Sequence, residues 1–349
     1  MLGSMDSQQL ALDAALLDDP DDRGTLLVYA DWLLARGDPR GELISLHDAL
    51  RDERDPLRVK ALRDAEAALR QRHRDRLLPP ALGQHPGHRL RWASGFIRAL
   101  ELDLPGQLGD AELLRQVLEH PSLRYLTELQ LSLGHMPSEP VLGTLVQVAP
   151  PALRTLRLGR EGLGRPASIR LGELDPLVRL DCLVLHEGTR WERPTHPQLR
   201  RLELVQAPMV LWDGERRASE PEPVLQILED LDPARLPALR ALRVSGLDGR
   251  RQGRLSHALS SLRLALGELV LDRCSAVDEL CAVLVRAPWR QGLATLALSD
   301  TMTLAGAEIL AGSDLALEQL DVSGNRLPEA ARGKLEPRCK RLVFGWQQP

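Results

Sequence analysis

Lysine is nearly missing from this chain of 349 residues: Lys60, Lys334 and Lys340 are all there are, and arginine supplies the rest of the 45 basic positions. Aromatic residues make up 3%, six Trp, two Tyr and two Phe, so the core cannot rest mainly on rings. No apolar run approaches the ~18 residues of a membrane span. No basic excess argues for nucleic acid, because the formal net charge is −4, and no acidic tail is present. The four cysteines, Cys182, Cys274, Cys281 and Cys339, follow no metal-ligand spacing. A chain of this size does not need disulfides, so free and mostly buried thiols in a reducing compartment are expected. The first residues lack a basic segment followed by an apolar stretch, which excludes a secretory signal there and points to the cytoplasm. What is abundant is leucine, with 74 positions, far above ordinary usage.

Up to about residue 80 the chain reads as helices. Leu10, Leu16 and Leu17 give a first apolar face that ends in the acidic turn from Asp18 to Asp22. A second helix carries Leu26, Leu27, Tyr29, Ala30, Trp32, Leu33 and Leu34, with Gly37 placed to end it in a left-handed conformation. Asp38-Pro39 restarts the chain as cap and first helical residue, and Leu43, Leu46, His47 and Leu50 line a third helix. A fourth, charged helix is expected from about Pro56 to Leu78. Arg70, Arg72, Arg74 and Arg76 alternate near its end and read as a solvated face rather than a phosphate track. Residues 81–95, rich in Pro and Gly at their start, read as a linker and as the entry to a second, repetitive region.

From residue 96 to 349 the pattern changes. Leu-x-Leu segments, or close variants, begin at Leu100, Leu129, Leu156, Leu183, Leu202, Leu242, Leu269, Leu296, Leu320 and Leu342. Their spacings are 29, 27, 27, 19, 40, 27, 27, 24 and 22 residues. The short and long gaps nearly compensate, which places an insertion near 206–223. In a strand, alternate side chains face opposite sides, so both leucines point inward and the residue between them outward. Helical stretches lie between several of the strands. Each unit then has one strand and one helix and buries its apolar face by stacking on its neighbours. The expected fold class is α/β: a solenoid with a curved parallel sheet of about ten strands inside and helices outside, preceded by a small all-helical domain over 1–80.

The unit Leu317-Glu318-Gln319-Leu320-Asp321-Val322-Ser323-Gly324-Asn325-Arg326-Leu327 resembles the leucine-rich repeat family, and the long helical connections look most like its ribonuclease-inhibitor-like subclass. That resemblance implies that Asn325 bonds neighbouring backbone groups in the turn. Cys274 and Thr301 hold the equivalent place, while Gly134, Glu161, Gly188 and Leu247 replace it elsewhere. The stretch Asp18-Asp19-Pro20-Asp21-Asp22-Arg23, then Leu27-Val28-Tyr29-Ala30-Asp31-Trp32-Leu33 and Arg36-Gly37-Asp38-Pro39-Arg40-Gly41-Glu42, resembles the bacterial repeat-companion domain of myxobacteria and planctomycetes. Trp92-Ala93-Ser94-Gly95-Phe96 is similar to the entry into the repeats in such proteins. The resemblance implies cytoplasmic bacterial proteins without an assigned catalytic activity.

No local constellation points to catalysis. Asp31 is expected to pair with Arg36 or Arg40 at the helix turn. His85 and His88 lack further ligands nearby, so no metal is expected. Gly159 to Gly164 lacks the lysine of a phosphate loop, and no Ser-Gly pair sits in a nucleophile elbow. No cofactor is expected. Binding is expected on the outward strand residues instead: Glu101, Gln130, Arg157, Val184, Glu203, Arg243, Val270 and Asp321, with Ala297 and Val343 in the same row. Asp103, Glu128, His186, Arg201, Glu268 and Asp272 flank that row. Its mixed charge suits a protein partner rather than nucleic acid or membrane. Met209, Leu211 and Trp212 in the insertion form a second candidate surface, either a binding anchor or a plug for the irregular repeat.

The function expected is therefore that of a non-enzymatic protein–protein interaction module. The alternative is a substrate, inhibitor or regulatory subunit of a co-encoded effector such as a protease, with residues 79–87 or 209–223 as exposed sites. Phe344 and Trp346 are expected to cap the last repeat and leave a monomer.

Overall fold

A computed structural model describes residues 7–83, 85–134, 139–159, 169–171, 174, 176–186, 189–191, 193–206, 223–247, 252–275 and 277–345, with 169–171 and 252 by backbone alone. The fold is α/β. Among the described residues, 13 α-helices accompany a mostly parallel sheet of 11 strands. The elements run α1 (Ser7–Asp18), α2 (Arg23–Leu34), α3 (Pro39–Asp52), α4 (Pro56–Arg72), α5 (Arg74–Leu77), α6 (Pro80–Gly83), β1 (His88–Ala93), β2 (Phe96–Leu104), α7 (Asp110–Leu118), β3 (Glu128–Leu133), α8 (Glu139–Val148) and β4 (Thr155–Leu158). They continue with β5 (Ile169–Leu171), β6 (Cys182–His186), β7 (Thr189–Trp191), β8 (Arg201–Val205), α9 (Pro223–Glu229), β9 (Ala241–Ser245), α10 (Gln252–Ser261), β10 (Glu268–Asp272) and α11 (Val277–Leu284). The chain closes with β11 (Thr295–Leu298), α12 (Leu304–Ala311), β12 (Leu317–Asp321), α13 (Glu329–Leu335) and β13 (Cys339–Val343). The sheet order is β1-β2-β3-β4-β6-β8-β9-β10-β11-β12-β13, and β5 pairs with β7 apart from it. Each of the ten leucine-marked segments falls on a strand of this sheet.

Two compact units divide the chain. The first is drawn from Met1–Met136, Pro140–Leu156 and Pro176–Arg179; the second from Pro137–Glu139, Arg157–Asp175 and Leu180–Pro349.

In the first unit, acidic caps open three of the helices, the expected Asp38 among them. The carboxylates of Asp22, Asp38 and Asp55 accept from the backbone N–H of Thr25, Arg40 and Leu57, satisfying donors that the first helical turn leaves open. Gly37 takes a φ of 65° after α2, as expected. The charged helix expected over 56–78 is broken at His73, whose backbone leaves the helical region at φ −111°, ψ 27°, so α4 and α5 are separate. Both tyrosines and one of the two phenylalanines gather in one core: Tyr29, Phe96 and Tyr125 pack with Leu16, Leu26, Leu33 and Ile44. Tyr125 meets Phe96 edge-on at 4.7 Å.

Residues 88–93, inside the segment 81–95 expected as linker and entry to the repeats, form β1. This strand pairs antiparallel with β2 through the two-residue turn Ser94-Gly95, both with positive φ (51° and 77°). Such a turn matches the twist of a hairpin and favours glycine at its second position. The available signal was period-two alternation: Leu90 and Trp92 interleave with Arg89 and Arg91.

In the second unit the parallel strands share one register. Leu183 faces Leu202, Leu242 comes after it, then Leu269, Leu296, Leu320 and Leu342. All but Leu342 are buried. On the helices, Val224 and Leu228 of α9, Leu255 and Leu259 of α10, Leu280 and Leu284 of α11 and Leu310 of α12 are buried as well. A leucine without competing shape demands fills each rung, which is why one residue type recurs.

Asn325 does in the turn after β12 what was expected of it. Its amide nitrogen donates to the carbonyls of Leu298 (2.7 Å) and Val322 (2.8 Å), and its oxygen accepts from Met302 N–H at 2.9 Å. The Cys274 thiol takes the corresponding place two strands earlier, after β10, donating to the Val244 carbonyl at 3.6 Å, and the Thr301 hydroxyl, after β11, donates to the Cys274 carbonyl at 3.0 Å. A thiol is a weaker donor than an amide, so this bond holds the turn more loosely.

Candidate functional site

The strand register tests whether the outward residues stand in a row. Glu101 is paired with Gln130 across β2 and β3 in the first unit. In the second unit, Val184, Glu203, Arg243, Val270, Ala297, Asp321 and Val343 align across β6 and β8–β13. Arg157 lies on β4. Within each unit, period two places these residues on the side of their strands opposite the leucines.

Their availability differs. Glu101 is exposed, and Gln130, Arg157, Glu203, Arg243, Val270 and Asp321 are half-buried. Val184 departs from the expectation: with 1% exposure it offers nothing to a partner. β6 is buried on both faces from Leu183 to His186, and Gly159 packs so tightly beside His186 that an added Cβ would lie 2.5 Å from that side chain's own Cβ. Met209, Leu211 and Trp212 lie outside the described residues, as does Trp346.

Several charges in and beside the row are already engaged. Arg201 reaches over the small Ala241 to meet Glu268 on β10 at 3.1 Å. Arg243 pairs with Asp272 at 3.3 Å, and Ser299 donates its hydroxyl to the same carboxylate at 2.6 Å. Partial burial works to raise the Asp272 pKa, but the Ser299 and Arg243 hydrogen bonds and the nearby Arg273 outweigh it and hold the carboxyl below the usual aspartate range. Asp321 accepts from the backbone N–H and hydroxyl of Ser323. Glu101 faces Arg89 at 3.7 Å, and Glu128 faces Arg91 at 2.7 Å. By contrast, Arg157 and Glu203 make no ion pair among the described residues, so their charges are the least committed of the row.

A second line of polar positions stands two residues before the first. It runs Cys182, Arg201, Ala241, Glu268, Thr295, Gln319 and Arg341 in register. Sequence reasoning named Arg201 and Glu268 but not Thr295, Gln319 or Arg341; the same period of two marks them all. The Cys182 thiol is pushed up to about 11 by burial and the neighbouring Glu203. Burial also pushes Cys274 up to about 11 and Cys281 to about 12. All four cysteines are free, and thiols held protonated in this way are poor nucleophiles.

The acidic turn and the motif around Tyr29 serve structure. Arg98, buried on β2, donates to the Pro20 and Tyr125 carbonyls, while Arg154 and Arg179 take the carbonyls of Asp18 and Leu17 that end α1. Asp13, buried within α1, accepts from the Tyr125 hydroxyl at 2.5 Å and faces Arg124 at 2.6 Å. Arg40 pairs with Asp38 at 2.5 Å rather than with Asp31, because both sit at the start of α3. Arg36 instead lies over the Trp32 ring at 3.8 Å. His88 Nδ1 is 2.7 Å from the His85 carbonyl oxygen, and no metal-holding cluster of His, Cys, Asp or Glu occurs among the described residues. Nor is any helix among them long and apolar enough to cross a membrane.

No protein-family model matches the chain, and no curated protein matches its sequence. Among solved structures, the crystal structure of a Bacteroides fragilis protein, a structural-genomics target, is similar: it is 15% identical with a TM-score of 0.51, covering 70% of this chain and 74% of that one. At that identity the likeness concerns the fold alone.

Proposed function

We propose that the chain is a leucine-rich-repeat solenoid of the ribonuclease-inhibitor-like subclass, with a helical repeat-companion domain at its start, working in the cytoplasm as a non-enzymatic adaptor. Its partner is a protein docked on the outward row of the strands. The observation that carries this reading is the in-register row from Glu203 to Val343, whose polar and small side chains stand on a sheet backed by a leucine ladder. A rigid sheet that presents residues decoupled from the core is the binding mode of repeat arrays. The Asn325 bridge between adjacent turns supports the repeat assignment. The alternative, a substrate, inhibitor or regulatory subunit of a co-encoded effector such as a protease, keeps residues 79–87 as a candidate site, where Pro80, Gly83 and Pro86 are exposed while Pro79 and Leu82 are buried; residues 209–222 lie outside the described residues.

The test is affinity capture from the native organism with the immobilised full chain. Reversing the two uncommitted charges together, Arg157→Glu with Glu203→Lys, is expected to weaken a captured protein by about tenfold or more. Thermal stability should barely move, and Lys60→Glu on α4 should retain that protein. An unchanged set of captured proteins with the double variant overturns the reading.

A further inference from the structure

Away from the strand rows, the first unit contains a groove of about 310 Å³ lined by Arg70, Arg74, Leu77, Leu78, Leu90 and Trp92. Its lining combines aliphatic side chains, one indole, the Gln71 amide and two guanidinium groups. The Arg70 guanidinium lies 5.9 Å from the Trp92 ring centre and its Nε is 3.4 Å from Glu66, yet that Nε is buried without a hydrogen bond. Glu66 is shared, since His47 Nε2 faces the same carboxylate at 3.2 Å. Arg74 is exposed and has no ion pair among the described residues. Arg70 thus shares its carboxylate with His47, and Arg74 faces the groove without an ion-pair partner among the described residues.

The groove also meets a strand edge. β1 ends the sheet order, with β2 as its single strand neighbour among the described residues. The Gly87 carbonyl accepts from Asp103 N–H at 2.8 Å, which fixes the alternation of the antiparallel ladder. Arg89 and Arg91 then bond towards β2, and the peptide groups of His88 and Leu90 turn to the open side. Leu90 thus contributes its side chain to the groove and its backbone donor and acceptor to the edge. The arginines of β1 itself are taken up by Glu101 and Glu128, leaving Arg74 as the uncommitted charge.

We propose that this groove docks an extended acidic segment of a partner protein, paired as an added strand on β1. Carboxylates of the segment meet Arg74 and Arg70, and an aliphatic side chain enters between Leu77, Leu78, Leu90 and Trp92. The open edge favours a peptide over a nucleic acid strand: main-chain pairing gives affinity in such additions, and the pockets give specificity. This docking is independent of the strand row, which belongs to other residues.

The test is fluorescence anisotropy on the full chain with a fluorescein-labelled peptide in which Glu and Leu take turns at every second position, with Ser between them, so that both face the groove from one side of the added strand. That peptide is expected to bind, and its Lys/Leu counterpart is not. Arg74→Glu, at an exposed and unpaired site, is expected to weaken binding at least about tenfold without loss of fold by circular dichroism. N-methylation of alternate peptide residues is expected to abolish binding by removing the edge hydrogen bonds. The proposal is overturned if the Glu/Leu peptide fails to bind at about millimolar concentration. It is equally overturned if Arg74→Glu or the Lys/Leu peptide binds as well as the original pair, if N-methylation is without effect, or if a labelled dT strand binds in place of the peptide.

Discussion

Asn325 shows how much one buried side chain can organise. It is fully enclosed, and its three hydrogen bonds satisfy two carbonyls and one N–H belonging to two successive turns. Alanine there leaves those groups unpaired and without water, at a cost of roughly 2–4 kcal/mol. Chemical denaturation of Asn325→Ala should show that loss; a midpoint equal to the parent's would mean that the turns hold themselves. This role was legible in the sequence because a specific amide sat at a specific offset from Leu320 and Val322. The pairing of Arg201 with Glu268 was not, because it depends on Ala241 being small enough to be crossed. Nor was the burial of Val184, which alternation alone places outside.

At the scale of elements, the Asp38 cap was readable beside Pro39, and Asp22 and Asp55, which the sequence reading did not single out, cap α2 and α4 by the same local chemistry. β1 was hidden for the opposite reason. Pro and Gly in its approach dominate the local composition, while its pairing partner and its tight turn are tertiary facts. The turn is demanding. A Cβ on Gly95 would lie 2.4 Å from Ile44 Cγ1 and 2.9 Å from the Arg40 carbonyl oxygen, and the φ of 77° already disfavours any side chain. Gly95→Val combines both penalties and is expected to cost about 3 kcal/mol or more. Gly143→Ala is the matched control, because an added Cβ on α8 meets nothing within 4 Å, and a gain of about 1 kcal/mol is expected from helix propensity. Equal effects in urea titrations would show that the hairpin is less tightly seated than its geometry implies.

For the molecule as a whole, the leucine spacing was the most informative feature, since each marked segment became a strand and the register came with it. The few rings are also placed unevenly: both tyrosines and Phe96 share one core, with Trp32 packed against it. The register makes substitution costs depend on position along the ladder. Leu269, buried between β9 and β11, is expected to cost about 2–5 kcal/mol when replaced by alanine. Leu342, half-buried on the last strand, should cost clearly less, about 1–2 kcal/mol, because part of its surface already meets water. Denaturation midpoints of the two variants check the ranking, and an equal loss at both would count against a ladder with a soft end. The outward row itself was legible as a set of positions, but which of its charges stay uncommitted required the cross-strand contacts.

The raised thiols have a practical consequence. Cys182, Cys274 and Cys281 sit near 11 to 12, so about one thiol in ten thousand or fewer is thiolate at neutral pH. Maleimide or disulfide-exchange reagents depend on that thiolate and will meet these three sites slowly. A cysteine introduced at an exposed position such as Glu101 would outrun them. Labelling of the candidate face therefore calls first for replacement of Cys339, which is partly exposed, while Cys182, Cys274 and Cys281 can stay in place.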